Sequence, residues 1–141
     1  MQTKNIALKA RIESAGQMTL PLRGRCMEPL LTAGDQVKII PVTHFSKGCL
    51  YLFELPDGGV AVHRLIDKTG DRAVMKGDRS RCFETTLFQN IIGEASAVKL
   101  LNSEHWHDIR KHKLAMIIIL HISKKLAAAF SFLTRKRWGR K

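Results

Sequence analysis

The 141-residue sequence has three cysteines, Cys26, Cys49 and Cys82, and no Cys-x-x-Cys pair. An odd count with no secretory leader argues against a disulfide framework. The missing pair spacing leaves zinc and thioredoxin chemistry without support. The histidines do not supply it either. His44, His105, His107 and His112 have no acids or cysteines at metal-ligand spacing. The last three read as helix surface, so neither a metal nor a cofactor is expected. No run of about 18 apolar residues occurs, which argues against a spanning helix. Residues 1–10 lack the apolar stretch of a signal peptide. There are no internal repeats and no low-complexity segment.

Acids are scarce as well: 12 Asp and Glu stand against 24 Lys and Arg, a formal net charge of +12. The imbalance is uneven, because from His105 onward Lys and Arg accumulate against a single acid, Asp108. Such asymmetry points to an anionic partner for the tail or to a solvated basic face. No specific nucleic-acid partner is expected. The length suits one domain with an appendage.

The chain therefore divides into a β domain, residues 1–102, and a basic tail, residues 103–141. Residues 4–15 alternate loosely and read as a strand or a short helix that Gly16 breaks. Extended runs follow at 18–22, 37–41, 49–55, 60–66, 72–76 and 88–99. Pro56-Asp57-Gly58-Gly59 forms a hairpin turn, and further turns lie around Gly70 and over residues 77–81. Short strands with regular turns make a mainly β core. Ser103 then reads as the N-cap of a helix that carries acids in its first turn. The tail beyond it is expected to be a basic amphipathic helical segment. It either lies on an anionic membrane surface or packs on the β core.

Cys26 sits in the stretch Gly24-Arg25-Cys26-Met27-Glu28-Pro29-Leu30-Leu31-Thr32-Ala33-Gly34-Asp35. Pro29 lacks a backbone donor and biases Glu28 away from helix. Gly34-Asp35 is a turn signal. Cys26 thus lies on a loop entering a sheet, where a rigid scaffold can present a reactive side chain. Arg23 and Arg25 stand near enough in sequence to favour a thiolate. His63 is a base candidate, since an imidazole can be neutral near pH 7 and take the thiol proton.

These residues resemble the boxes of the signal peptidase I and LexA clan. Met27, Pro29, Leu31, Gly34 and Asp35 match the box Ser-Met-x-Pro-Thr-Leu-x-x-Gly-Asp, with Cys26 in the serine position. Val60-Ala61-Val62-His63-Arg64-Leu65-Ile66 is similar to the second box of the branch that uses histidine as base. Met75-Lys76-Gly77-Asp78 is similar to that branch's Lys-Gly-Asp box. The resemblance implies a coiled β-sheet catalytic core and a peptide or precursor-protein substrate bound as an added strand. It implies that Cys26 is the nucleophile and that its backbone N–H is an oxyanion donor. It implies that His63 is the base. Asp78 is the first choice for the acid that orients His63, and Glu84 is the second.

Three departures from the clan shape the reading. Gly24 stands where many signal peptidases carry a serine hydroxyl for the oxyanion, so a neighbouring backbone amide must serve. Cys49 replaces an acid. About two dozen mixed polar residues precede Cys26, where the signal peptidases usually carry a membrane anchor. With a thiol nucleophile this points to a reducing, cytoplasmic setting, peripheral at the inner membrane face if the tail binds lipid. The expected activity is a cysteine-type endopeptidase that matures a leader or precursor peptide. Two alternatives stand beside it. One is a catalytically silent peptide-binding module of the same fold. The other is a self-cleaving LexA-like regulator, disfavoured because Ala15-Gly16 is too near Cys26 and no DNA-binding domain precedes it.

Overall fold

The computed structural model describes residues 1–110. Helix α1, Thr3–Ala15, opens the chain, which settles residues 4–15 as helix rather than strand. Its Ala, Leu, Lys, Arg and Glu are strong helix formers. Gly16 ends it in the left-handed conformation, φ 76°, as a glycine just past a helix does at little steric expense. No side chain of its own caps the first turn. Glu54 does so from a distant strand, accepting the Gln2 N–H at 3.0 Å. That puts a carboxylate at the positive end of the helix. Asn5 Nδ2 donates to the same carboxylate at 2.9 Å and to the Gly58 carbonyl at 3.2 Å. Burial pushes the Glu54 carboxyl up, but the Asn5 and Gln2 hydrogen bonds, with the N-terminal and Lys4 charges, together hold the pKa below its ordinary value.

The rest is mainly β. The strands are β1 Met18–Pro21, β2 Gln36–Ile40, β3 Leu50–Glu54, β4 Val60–Thr69, β5 Arg72–Lys76, β6 Glu84–Leu87, β7 Ile91–Lys99 and β8 Trp106–Asp108. They form one eight-stranded sheet in the order β1-β2-β7-β3-β4-β5-β6, with β8 added to β7. Every pairing is antiparallel. Register shifts interrupt β2–β7, β3–β7 and β4–β5, and such bulges bend and twist a sheet. One core gathers Ile12 of α1 with Val37, Ile39, Leu52, Val62 and the Met27, Leu30 and Leu31 side chains of the Cys26 loop. A second gathers Tyr51, Phe53, Leu65, Met75 and Ile91. Gly93 lets β2 pass close over β7, for a Cβ there would run into the Ile39 side chain and stand 2.9 Å from the Ile40 carbonyl.

One expectation needs correction, and one strand was not expected. β6 forms over Glu84–Leu87, where only Thr86 is buried and no apolar alternation marks a strand in the sequence. The helix expected to start at Ser103 does not form over the residues that follow. Ser103 Oγ does accept a nearby amide, His105 N–H at 3.1 Å, but it caps a turn. Trp106–Asp108 then pairs with residues 97–99 of β7. The reason lies in β7, whose first half is paired by β3 as far as Ala95. Its last residues would otherwise present open backbone groups on that side. The sheet domain therefore continues past residue 102 through Ile109, which is 4% exposed in the main core. The rest of the expected helical tail, residues 111–141, lies outside the described residues.

Ile109→Ala in the full chain should lower stability by about 2–4 kcal/mol, the usual loss for a buried isoleucine. Urea denaturation measures it. A change below about 0.5 kcal/mol would mean that the segment after Ser103 is not part of the core.

Candidate active site

The Cys26 loop is anchored at both ends. Leu22 N–H donates to the Asp35 carbonyl at 2.8 Å, and Gly34 N–H returns to the Leu22 carbonyl at 3.1 Å. The Asp35 side chain is fully buried. Its Oδ2 accepts from Thr32 N–H at 2.9 Å and from Thr32 Oγ1 at 3.2 Å, and its Oδ1 accepts from Leu101 N–H at 3.0 Å. The Gly-Asp turn is thus a structural lock. Met27, Leu30 and Leu31, each at most 3% exposed, hold the loop on the core. Cys26 itself is half-buried. Outside the loop, Glu28 is bound by two arginines, Arg25 Nε at 3.0 Å and Arg79 Nη1 at 2.6 Å.

His63 lies on β4, opposite Tyr51 of β3, with its ring centroid 5.5 Å from that of Phe53. Its Nδ1 stands 2.7 Å from Glu84 Oε2 on β6. A carboxylate at that distance accepts the Nδ1 proton, so in the neutral imidazole the lone pair falls on Nε2. That Nε2 faces the Cys26 loop. The contact is made at Gly77, where a Cβ would stand 2.8 Å from the Cys26 carbonyl oxygen, 3.1 Å from the Cys26 Cβ and 3.3 Å from His63 Nε2. Only a residue without a side chain lets the three segments meet there. The Cys26 carbonyl in turn accepts Arg79 N–H at 2.9 Å.

Of the two candidate orienting acids, Glu84 is the one within hydrogen-bond distance of His63, and Asp78, the first choice, is held elsewhere. The Asp78 carboxylate is taken by Arg64, with Nε to Oδ1 at 2.8 Å and Nη2 to Oδ2 at 2.7 Å. Arg64 Nη1 also donates to the Gly48 carbonyl at 2.6 Å. Both side chains are almost fully buried, 1% and 2% exposed. Successive residues of a strand face opposite sides, so Arg64 reaches Asp78 from the face away from His63. The Lys-Gly-Asp box is therefore a brace: Arg64 fixes Asp78, and Gly77 is held against Cys26. Sequence reasoning gave Arg64 no role. Its place beside His63 in a strand with Lys-Gly-Asp following was the available signal.

The expected stimulus from Arg23 and Arg25 also needs correction. Burial pushes the Cys26 thiol up from its ordinary pKa, and the Glu84 and Asp78 carboxylates add to the rise. The Cys26 and Met27 backbone amides act in the opposite direction. Arg25 is committed to Glu28 and its side chain is 70% exposed. Of the other cysteines, Cys49 is buried and Cys82 is exposed.

An apolar cleft of about 430 Å³ opens beside Cys26. Leu20, Leu22, Leu31, Val37, Leu52 and Val62 line it, together with Arg23, Gly24 and Cys26. It lies between two sheet margins. β1 ends the strand order, and β4 extends at residues 60–63 beyond its pairing with β5, which stops at Arg64 opposite Lys76. Among the described residues no helix is long and apolar enough to cross a membrane. No protein-family model and no curated protein matches the chain.

Removing one partner of the buried Arg64–Asp78 pair leaves an uncompensated charge. Asp78→Ala should therefore cost about 3–5 kcal/mol. Glu84→Gln, at a half-exposed position, should cost less than about 1 kcal/mol. Urea midpoints of the two variants measure the contrast, and equal losses would contradict the division of roles.

Proposed function

We propose that the protein is a cysteine endopeptidase of the signal peptidase and LexA type that cleaves a leader or precursor peptide. The observation that carries this reading is the meeting at Gly77. Cys26 and the open Nε2 of His63 border one point, while Glu84 holds Nδ1 from behind. The three boxes of the sequence supply Cys26, His63 and Gly77, and Glu84 lies six residues beyond the last of them.

The chemistry runs as follows. His63 Nε2 takes the thiol proton as Cys26 Sγ attacks the scissile carbonyl carbon. The oxyanion that forms accepts hydrogen bonds from the Cys26 amide and a neighbouring backbone amide. This answers the missing hydroxyl at Gly24, whose φ of 77° is a conformation that serine rarely adopts. The C–N bond then breaks, and the leaving amine takes the proton from His63 Nε2. A thioester remains on Cys26. Water attacks it with His63 again as base, the acid product leaves, and the thiol recovers its proton. Glu84 keeps Nδ1 protonated and stabilises the imidazolium that forms in each half. Because burial raises the Cys26 pKa, the sulfur waits as a thiol and proton transfer accompanies attack. The substrate lies extended in the apolar cleft, hydrogen-bonded to a sheet margin as an added strand.

The raised thiol pKa also favours a second reading, a peptide-binding module without turnover. Cleavage of a pool of synthetic leader-like peptides, read by mass spectrometry, separates the two. Under the peptidase reading Cys26→Ala abolishes cleavage. His63→Ala lowers the rate by about two to four orders of magnitude, and Glu84→Gln lowers it by up to about four. Wild-type rates in any of these variants would remove that residue from the mechanism, and no cleavage by the wild-type chain would favour the silent module.

The pH dependence of labelling has a definite sign. A thiol whose pKa is raised stays protonated at neutral pH. In His63→Ala the rate of iodoacetamide labelling at Cys26 should therefore climb only above the ordinary thiol range of about 8–9. In the wild type a neutral imidazole brings the climb to lower pH. Coincident profiles would show that His63 does not act on the thiol.

A further inference from the structure

The cleft beside Cys26 has one charged residue in its lining, Arg23. The other polar side chain there, Thr32, already serves Asp35. Arg23 is exposed and lies in the segment between β1 and the Cys26 loop. Its neighbours behave differently: Arg25 and Arg79 both bind Glu28. Among the described residues Arg23 has no acid partner, and the two carboxylates nearest the thiol are committed. Asp78 is bound to Arg64 and Glu84 to His63. The cleft thus presents apolar walls and one uncompensated guanidinium at its rim.

We infer that Arg23 is a specificity-determining residue, selecting peptides that carry an acidic side chain near the scissile bond. The inference rests on the reading of this cleft as the peptide site. Arg23 is three residues from Cys26, a span of at most about 10 Å. A bound strand advances about 3.3 Å per residue, so the acid falls within about four residues of the bond. A guanidinium offers paired donors matched to a carboxylate. A charged hydrogen bond is stronger than a neutral one, and at the exposed rim salt screens it. A lysine or arginine at the same place in the peptide meets repulsion with no carboxylate at hand to relieve it. The apolar walls accept the aliphatic residues on either side, so the preferred peptide is aliphatic with one acid.

The test measures binding, so that it does not depend on turnover. The full chain carrying Cys26→Ala is titrated with fluorescein-labelled octapeptides of alanine and leucine in which one position is Glu, Gln or Lys. Anisotropy at about 50 mM and 300 mM salt gives the affinities. The expected result is a Glu-over-Lys preference of about tenfold or more at one position, the scale of a single charged hydrogen bond. Arg23→Gln should remove most of the preference, and Arg23→Glu should reverse it. Arg11→Gln, an equal charge change on the exposed face of α1, should leave it intact. Equal loss in Arg11→Gln and Arg23→Gln would mean that net positive charge alone attracts acidic peptides, and overturns the inference. A Glu-over-Lys preference unchanged by Arg23→Gln overturns it, as does the absence of binding by every peptide. An Arg23-dependent preference with no cleavage by the wild-type chain upholds acid recognition and sinks the peptidase reading. Cleavage by the wild type without charge preference does the reverse.

Discussion

At Gly77 three parts of the chain come so close that no side chain fits between them. The backbone after β5 passes against the Cys26 loop, and His63 Nε2 borders the same point. Everything else in the site serves that contact. Asp35 and the buried Met27, Leu30 and Leu31 fix the loop from one side. The Arg64–Asp78 pair fixes the strand end from the other. A buried ion pair contributes little net stability when desolvation is counted, yet breaking it is costly. It is therefore suited to holding one geometry rather than to strengthening the fold.

The charges around the sulfur set the character of the proposed chemistry. Burial dominates what Cys26 senses, and acids rather than arginines add to it. A preformed thiolate is disfavoured, so the burden falls on a base with an open nitrogen. Glu84 provides this by holding Nδ1 from a strand outside the cleft. The arginines near Cys26 have other tasks. Arg25 joins Arg79 in clasping Glu28 over the loop, and Arg23 borders the cleft.

Much of the strand pattern was legible because alternation and turn residues are local signals. Pro56-Asp57-Gly58-Gly59 announced the β3–β4 hairpin, and Gly16 announced the end of α1. Strand β6 was missed because a four-residue edge strand with one buried side chain has no period to read. Trp106–Asp108 was misread because acids after a serine resemble a helix start. Its backbone goes instead to the open side of β7, a demand that exists only once β3 has stopped pairing. The choice between Asp78 and Glu84 failed for a related reason. Both follow His63 in plausible order, and only the face each side chain occupies distinguishes them.

The sequence by itself determined the β-rich architecture, the loop that carries Cys26 and the placing of His63 on a strand. These follow from local patterning and from what proline and glycine permit. The tertiary structure decided the partners. Strand pairing across distant segments sets which face Arg64 and His63 occupy, and so gives Asp78 to the arginine and Glu84 to the histidine. It also decided the direction in which the Cys26 pKa moves, because burial and the approach of two carboxylates are properties of the assembled sheet. Electrostatic environment depends on distances in space, and a linear order of residues does not contain them until the chain has folded.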